Sequence, residues 1–242
     1  MDKTKQKVQK FREREQNILD AALKLLIEHG EEKVTVEQIA DYVDIGKGTI
    51  YKHFTSKVEI YLRLLFDYER SLAEKLKEAI AAAEQGDYAA PARAYFESRM
   101  SNPQKDLLFQ RLEEKIIALN QAPEKIEELH QLRNSIQTSL NNVFSRRIEE
   151  GRLKRVPPYY IYAAYWALTQ GAVELYHSKS FSKVVEDMDG LMNFIMDVGV
   201  HIGNISSENR SNDIAPGETS ESVGSTGGTD PSGTRVSGGD FN

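Results

Sequence analysis

Between Thr35 and Lys57 the sequence TVEQIADYVDIGKGTIYKHFTSK gathers hydrogen-bond donors at helical spacing. Lys47, Lys52 and Lys57 supply cationic donors, Thr35, Thr49 and Tyr51 hydroxyls, and His53 a ring nitrogen. Groups of this kind hold phosphates and meet base edges; they do not by themselves make or break bonds. Bond-making chemistry finds no comparable set elsewhere in the chain. There is no cysteine, which removes thiol nucleophiles, disulfides and Cys-based zinc sites. The histidines, His29, His53, His130, His177 and His201, show neither H-x-x-x-H spacing nor carboxylate pairing at ligand spacing. A phosphate-cradling glycine loop and a G-x-S-x-G elbow are both missing, so neither an enzyme nor a metal or cofactor protein is expected.

Such donors need rigid elements under them. Thr35 followed by Gln38 forms a T-x-x-Q capping box that opens a helix with Val36, Ile39, Ala40 and Val43 on its apolar face. Asp44 and Gly46 form a bend, since both tolerate unusual backbone angles, and a short helix is expected from about Lys47 to Phe54. On a helical wheel Ile50 and Phe54 fall together, while Gly48, Thr49, Lys52 and His53 face the other way. One side packs and the other can enter a groove; Gly48 removes a side chain where backbone would approach a partner closely. Ser56 with Glu59 is a second capping box and opens a long helix that ends at Gly86. A preceding helix carries Ile18, Ala21, Ala22, Leu25 and Leu26 and stops at Gly30. Two short helices joined by a bend fit a helix-turn-helix.

This stretch resembles the DNA-binding head of the TetR family of bacterial transcriptional regulators. The resemblance rests on Thr35, Val36, Ile39 and Ala40, then Gly48-Thr49-Ile50-Tyr51, His53-Phe54 and Ser56-Lys57, within residues 14 to 62. It implies that Lys47, Gly48 and Tyr51 lie where the family touches bases or adjacent backbone, and that Thr35, Tyr51, His53 and Lys57 lie where it contacts phosphates. Where the family usually carries Ala-Gly-Val-Ser, this chain has Val43, Asp44, Ile45 and Gly46. Asp44 must then make the turn that glycine makes, and Gly46 gives up the side-chain cap at a cost of a few tenths of a kcal/mol relative to serine.

Helical periodicity continues to the end of the body, with no period-two strand, so the fold class is all-α: a three-helix head and a larger body, about nine helices in all. A single short recognition helix reads too few bases, which makes a symmetric homodimer on palindromic double-stranded DNA the physical expectation. The last two helices, roughly Pro157 to Ser178 and Ser182 to Asn204, are the most apolar. Their stripes, Tyr165, Leu168, Ala172 and Leu175 on the first and Met188, Leu191, Met192, Ile195, Gly199 and Ile202 on the second, are assigned to the dimer interface. The family likewise pairs its last helices. The aromatics Phe66, Tyr68, Tyr95, Phe96, Phe109, Phe144 and Trp166, with Met100, are candidates to line an effector cavity. The resemblance implies a small molecule there that shifts the heads and releases DNA, as expected of a repressor; an apolar lining would favour a hydrophobic or amphipathic compound.

Composition sets the frame. The 242 residues carry a net charge of −6, which argues against a protein that coats nucleic acid unselectively. The charge is sorted along the chain. Residues 1–10 begin a basic arm, with Lys3, Lys5, Lys7, Lys10, Arg12 and Arg14 against Asp2 and Glu13 up to position 14. Residues 11–57 form the helix-turn-helix domain and 58–205 the effector-binding and dimerisation body. Residues 206–242 read as a disordered acidic tail rich in Gly, Ser and Thr. No secretory signal is visible, and the apolar run Tyr159 to Leu168 is too short for a membrane span and reads as a buried helix; a cytoplasmic location is expected. A helical module that binds another protein, and a helical enzyme, are the competing readings.

Overall fold

The structure is a computed structural model that describes residues 3–205; the acidic tail lies outside the described residues. Among the described residues nine α-helices follow in order: α1 (Lys3–His29), α2 (Val36–Tyr42), α3 (Lys47–Ile50), α4 (Lys57–Glu84), α5 (Ala90–Met100), α6 (Pro103–Ala118), α7 (Pro123–Glu149), α8 (Pro158–His177) and α9 (Met188–Val200). A 3-10 turn at Phe181–Lys183 precedes α9, and among the described residues the only bridge of β type pairs Leu153 with Asn204.

The expected capping chemistry sets the boundaries in the head. Thr35 accepts from the Gln38 amide while the Gln38 side chain takes the Thr35 amide, a complete capping box. Ser56 accepts from the Glu59 amide and opens α4, but the expected box is not closed, because the Glu59 carboxylate accepts from the amide and hydroxyl of Thr55 instead of the Ser56 amide. Pro103 and Pro123 stand in the first turns of α6 and α7, where a missing N–H costs nothing. Gly30, at φ +81°, ends α1 in the left-handed conformation.

Three differences from the sequence reading have clear causes. The basic arm is the start of α1, because residues 3–14 contain no helix breaker and continue the helix unbroken. The third helix is shorter than expected and ends at Ile50. Thr49, Lys52 and His53 donate to carbonyls three residues back, so the helix tightens into turns at both ends. The run Tyr159 to Leu168 is helical but largely exposed, with Tyr159, Tyr160, Ala163, Ala164, Trp166 and Ala167 on the surface of this chain.

Packing falls into three clusters. The first joins α1, α2, α3 and the N-terminal half of α4 to Leu108, Phe109, Leu112 and Ile116 of α6, and to Ile126 and Leu129 of α7. The head's core is therefore continuous with the body through α4 and α6. A second cluster unites the C-terminal half of α4 with α7 through Ala73, Leu76, Ile136 and Leu140. A third, with Phe96, Ala172, Met192 and Ile195 at its centre, packs α5, α8 and α9 together.

Candidate nucleic-acid interface and ligand cavity

The turn before α3 depends on Asp44. It stands at φ +53°, in the left-handed region that a short polar side chain tolerates better than most, and takes the place expected of glycine. The chain reverses there, with the Ile45 amide donating to the Ala40 carbonyl at 3.0 Å. Gly46 caps α3 without a side-chain bond. Ile50 and Phe54 are buried against α1 and α2, so the opposite side of α3 is held outward.

That outward side carries Lys47, Gly48, Tyr51 and Lys52, all exposed, with Thr49 half-buried. Lys47 is paired with Glu37 of α2 and lies 5.9 Å from the Tyr51 ring centroid. Both its ammonium and the Glu37 carboxylate are held in their charged forms by this hydrogen bond. Lys52 makes no ion pair among the described residues. A Cβ at Gly48 would meet no atom within 4 Å, so the backbone face there is open.

The remaining donors are more tightly bound into the head. Lys57 donates to the Glu31 carbonyl at 3.0 Å and lies 5.4 Å from the Tyr61 ring; burial lowers its pKa from the usual lysine value. It ties α4 to the α1–α2 loop. His53 stacks on Phe11 of α1, with ring centroids 4.0 Å apart. Its Nδ1 is buried without a hydrogen-bond partner, and burial lowers the imidazole pKa, which favours the neutral ring. The Phe11–His53 stack escaped the sequence reading because α1 begins earlier than expected and Phe11 shows no partner in sequence.

A cavity of about 440 Å³ opens among α4 to α8. Of the eight candidates from the sequence, Tyr68, Tyr95, Phe109 and Trp166 line it. Phe66 and Phe96 are instead buried core, and Met100 packs against the α5–α8–α9 cluster. Phe144 lines a separate, small pocket of about 50 Å³ beside Tyr88 and Leu153. Aromatic content alone does not separate a core residue from a wall, because both follow the same helical period.

The larger correction concerns polarity. Arg99 and Asp106, only 6% and 3% exposed, form a bidentate pair with both bonds at 2.6 Å. Arg99 also donates to Tyr95 and to Gln170, while Tyr68 donates to Asp106 at 2.6 Å. Gln110 bonds Asp106 and exchanges bonds with Gln170, so the charge pair is enclosed by satisfied partners from α4, α5, α6 and α8. Arg133 of α7 bridges Glu113 and Glu69 at 2.6 Å each. The carboxylates raise the pKa of both arginines despite burial, and burial pushes the Tyr95 phenol up to about 12. At neutral pH the wall therefore carries fixed charges and protonated phenols. The lining thus joins aromatic rings to charged groups that the aromatic pattern of the sequence does not announce.

The stripes assigned to the dimer interface lie largely within the chain. Ala172, Met192, Ile195 and Gly199 are buried within the chain, and Tyr165, Leu168, Leu175, Met188 and Leu191 pack on the same internal cluster. Ile202 lines the small pocket behind Phe144. A Cβ at Gly199 would run into the Tyr165 ring, so α8 and α9 meet closely here. Tyr165 is fixed further by donating to the Ala92 carbonyl at 2.6 Å. The residues left outside are those off the stripe: Ala163 and Ala167 of α8, and Phe194 and Val198 of α9, with Phe194 64% exposed.

The described residues combine a helix-turn-helix with a helical body that holds a cavity, and known proteins share this arrangement. Residues 18–64 match the family model "Bacterial regulatory proteins, tetR family". The HTH-type transcriptional repressor KstR of Mycobacterium tuberculosis is 36% identical over 73 residues, 30% of this chain and 33% of that protein. The repressor AcnR of Corynebacterium diphtheriae is 30% identical over 86 residues, 32% of this chain and 45% of that protein. The matched segment thus spans less than half the length of these curated relatives. Solved structures extend the likeness in fold across the body. A tetR-family regulatory protein from Rhodococcus RHA1 has a TM-score of 0.64 at 14% identity, covering 80% of this chain and 98% of that one. The ketosteroid transcriptional regulator KstR2 of Mycobacterium tuberculosis has a TM-score of 0.61 at 17% identity, covering 80% and 96%. Residues 18–64 thus resemble the tetR family's regulatory proteins, and the described residues share the fold of solved tetR-family structures. No described helix is long and apolar enough to cross a membrane.

Proposed function

We propose that this protein is a dimeric, sequence-specific DNA-binding transcriptional regulator, a repressor released from a palindromic operator by a small molecule. The observation that carries the reading is α3 with the turn that follows it: fixed on the inner side by Ile50 and Phe54, they leave Lys47 and Gly48 of the helix and Tyr51 and Lys52 of the turn exposed. Such a face enters the major groove while the flanking donors, Thr35 at the α2 N-terminus and Lys57 at the α4 N-terminus, meet phosphates. The cationic side chains at the start of α1 add phosphate contacts and salt dependence.

Dimerisation is assigned to the exposed apolar surface of α8 and α9 around Ala167, Phe194 and Val198. An apolar surface of this kind is costly in water and self-complementary association removes it. Ligand sensing is assigned to the cavity. Helix α6 joins the two functions: Leu108, Leu112 and Ile116 lie in the head's core, while Gln110, Glu113 and Ile117 line the cavity. A ligand that displaces α6 thereby acts on the head, provided that it binds the released state more tightly than the DNA-bound one.

Mobility-shift titration with the DNA upstream of the protein's own gene tests the reading. Binding at nanomolar concentration, at least a thousandfold tighter than to random DNA of the same length, is expected at moderate salt. Equal affinity for both DNAs would refute it and leave the protein-interaction reading.

A further inference from the structure

The cavity wall holds more negative than positive charge. Arg99 and Arg133 stand against Asp106, Glu69, Glu113 and Glu114. Both guanidinium groups are already committed: Arg99 to Asp106 in a bidentate pair, Arg133 to Glu113 and Glu69. A carboxylate or phosphate on a ligand finds no free cation here and would have to displace one of these pairs, at the cost of a buried unpaired charge. Glu114, by contrast, is exposed and forms no ion pair among the described residues, and Arg133 can neutralise only one of its two carboxylate partners. Lys105 lies 5.6 and 5.4 Å from the ring centroids of Tyr68 and Phe109 but does not line the cavity, and with it counted the excess remains negative. His130 approaches Glu113 at 3.5 Å from outside the lining.

The rest of the lining is aromatic, with Tyr68, Tyr95, Phe109, Tyr162 and Trp166 contributing ring surface. Rings with a net negative surround are the recognised environment for an organic cation, which gains from the ring quadrupole and from the carboxylates while its apolar groups fill the space. The volume of about 440 Å³ is within the usual range for a drug-sized ligand. We infer that the cavity binds an amphipathic organic cation bearing aromatic or bulky apolar groups, with Glu69 and Glu114 as the residues that select its charge. The inference rests on reading this cavity as the ligand site.

Trp166 is the only tryptophan in the chain and lines the cavity, so its fluorescence reports occupancy directly. The probes are tetraphenylphosphonium, its isosteric anion tetraphenylborate, and uncharged triphenylphosphine oxide. Saturable quenching by the phosphonium, at least tenfold tighter than by the oxide, is expected, with weaker binding still for the borate. Glu69→Gln keeps an acceptor for Arg133, and Glu114→Gln alters an exposed side chain, so both variants should fold. Combined, they should weaken phosphonium binding about tenfold and leave the oxide unaffected. Equal binding of phosphonium and oxide, preference for the borate, or an unchanged double variant would overturn the ligand class while leaving the cavity a ligand site. Saturable quenching by none of the three would overturn the site itself. The phosphonium should also weaken operator binding; tight phosphonium binding without any effect on the mobility shift would support the ligand class and overturn the effector role.

Discussion

Gly48 and His53 show how single side chains in α3 and the turns after it divide between reading and holding. Gly48 has open space where a Cβ would stand, so Gly48→Ala is compatible with the fold and should leave the melting temperature unchanged or slightly raised. If the backbone there approaches DNA, the added methyl should reduce operator affinity about tenfold, equivalent to about 1.4 kcal/mol. Unchanged affinity in a mobility shift would remove Gly48 from the interface. His53 acts differently, as a neutral ring packed on Phe11. Its folded-state pKa lies below the ordinary value of 6.5, so below that pH the unfolded chain binds more protons and stability falls as pH falls. His53→Phe keeps an aromatic ring on Phe11 and removes the titration. Its loss in melting temperature between about pH 7.5 and about pH 5.5 should be smaller than that of the parent chain. Equal losses would place the pH dependence elsewhere.

At the scale of elements, α8 and α9 present two apolar faces each, and sequence periodicity gives no reason to turn one of them inward. Packing makes the choice: α5 lies on the Ala172–Ile195 side, and Gly199 lets the helices close on Tyr165. The consequence is a contrast between adjacent residues of α9. Ile195→Ala should cost about 2–4 kcal/mol in denaturant unfolding, because the side chain is buried and leaves a cavity. Phe194→Glu, on the exposed side, should leave the monomer's unfolding nearly unchanged but shift sedimentation from dimer to monomer. A dimer that persists in Phe194→Glu at micromolar concentration would move the interface to another surface.

At the scale of the whole chain, the Arg99–Asp106 pair connects helices that are far apart in sequence. Tyr68 of α4, Gln110 of α6 and Gln170 of α8 all bond into it. Asp106→Asn leaves the buried guanidinium without its counter-charge and should destabilise the chain by about 3–5 kcal/mol. Replacing both partners by apolar residues, as in Arg99→Met with Asp106→Leu, should recover most of that loss, since the cost arises from an uncompensated charge. Urea unfolding distinguishes the outcomes: a single variant within about 1 kcal/mol of the parent would show that water reaches the pair.

Local chemistry was legible in the sequence. The Thr35–Gln38 box, the Ser56 cap and the turn at Asp44 involve neighbours a few residues apart, and their energetics are settled within one or two helical turns; the inward side of Ile50 and Phe54 follows from helical period, though α1 and α2 supply the surface that buries them. The same holds for the all-α class, which follows from the period of the apolar residues. Only the tertiary structure decided which of two equivalent apolar faces of α8 and α9 is internal, which aromatics form a wall, and that the wall is charged. Arg99 and Asp106 read as ordinary polar positions until α4, α5, α6 and α8 converge, because burying a charge depends on a partner that the period of a single helix does not encode.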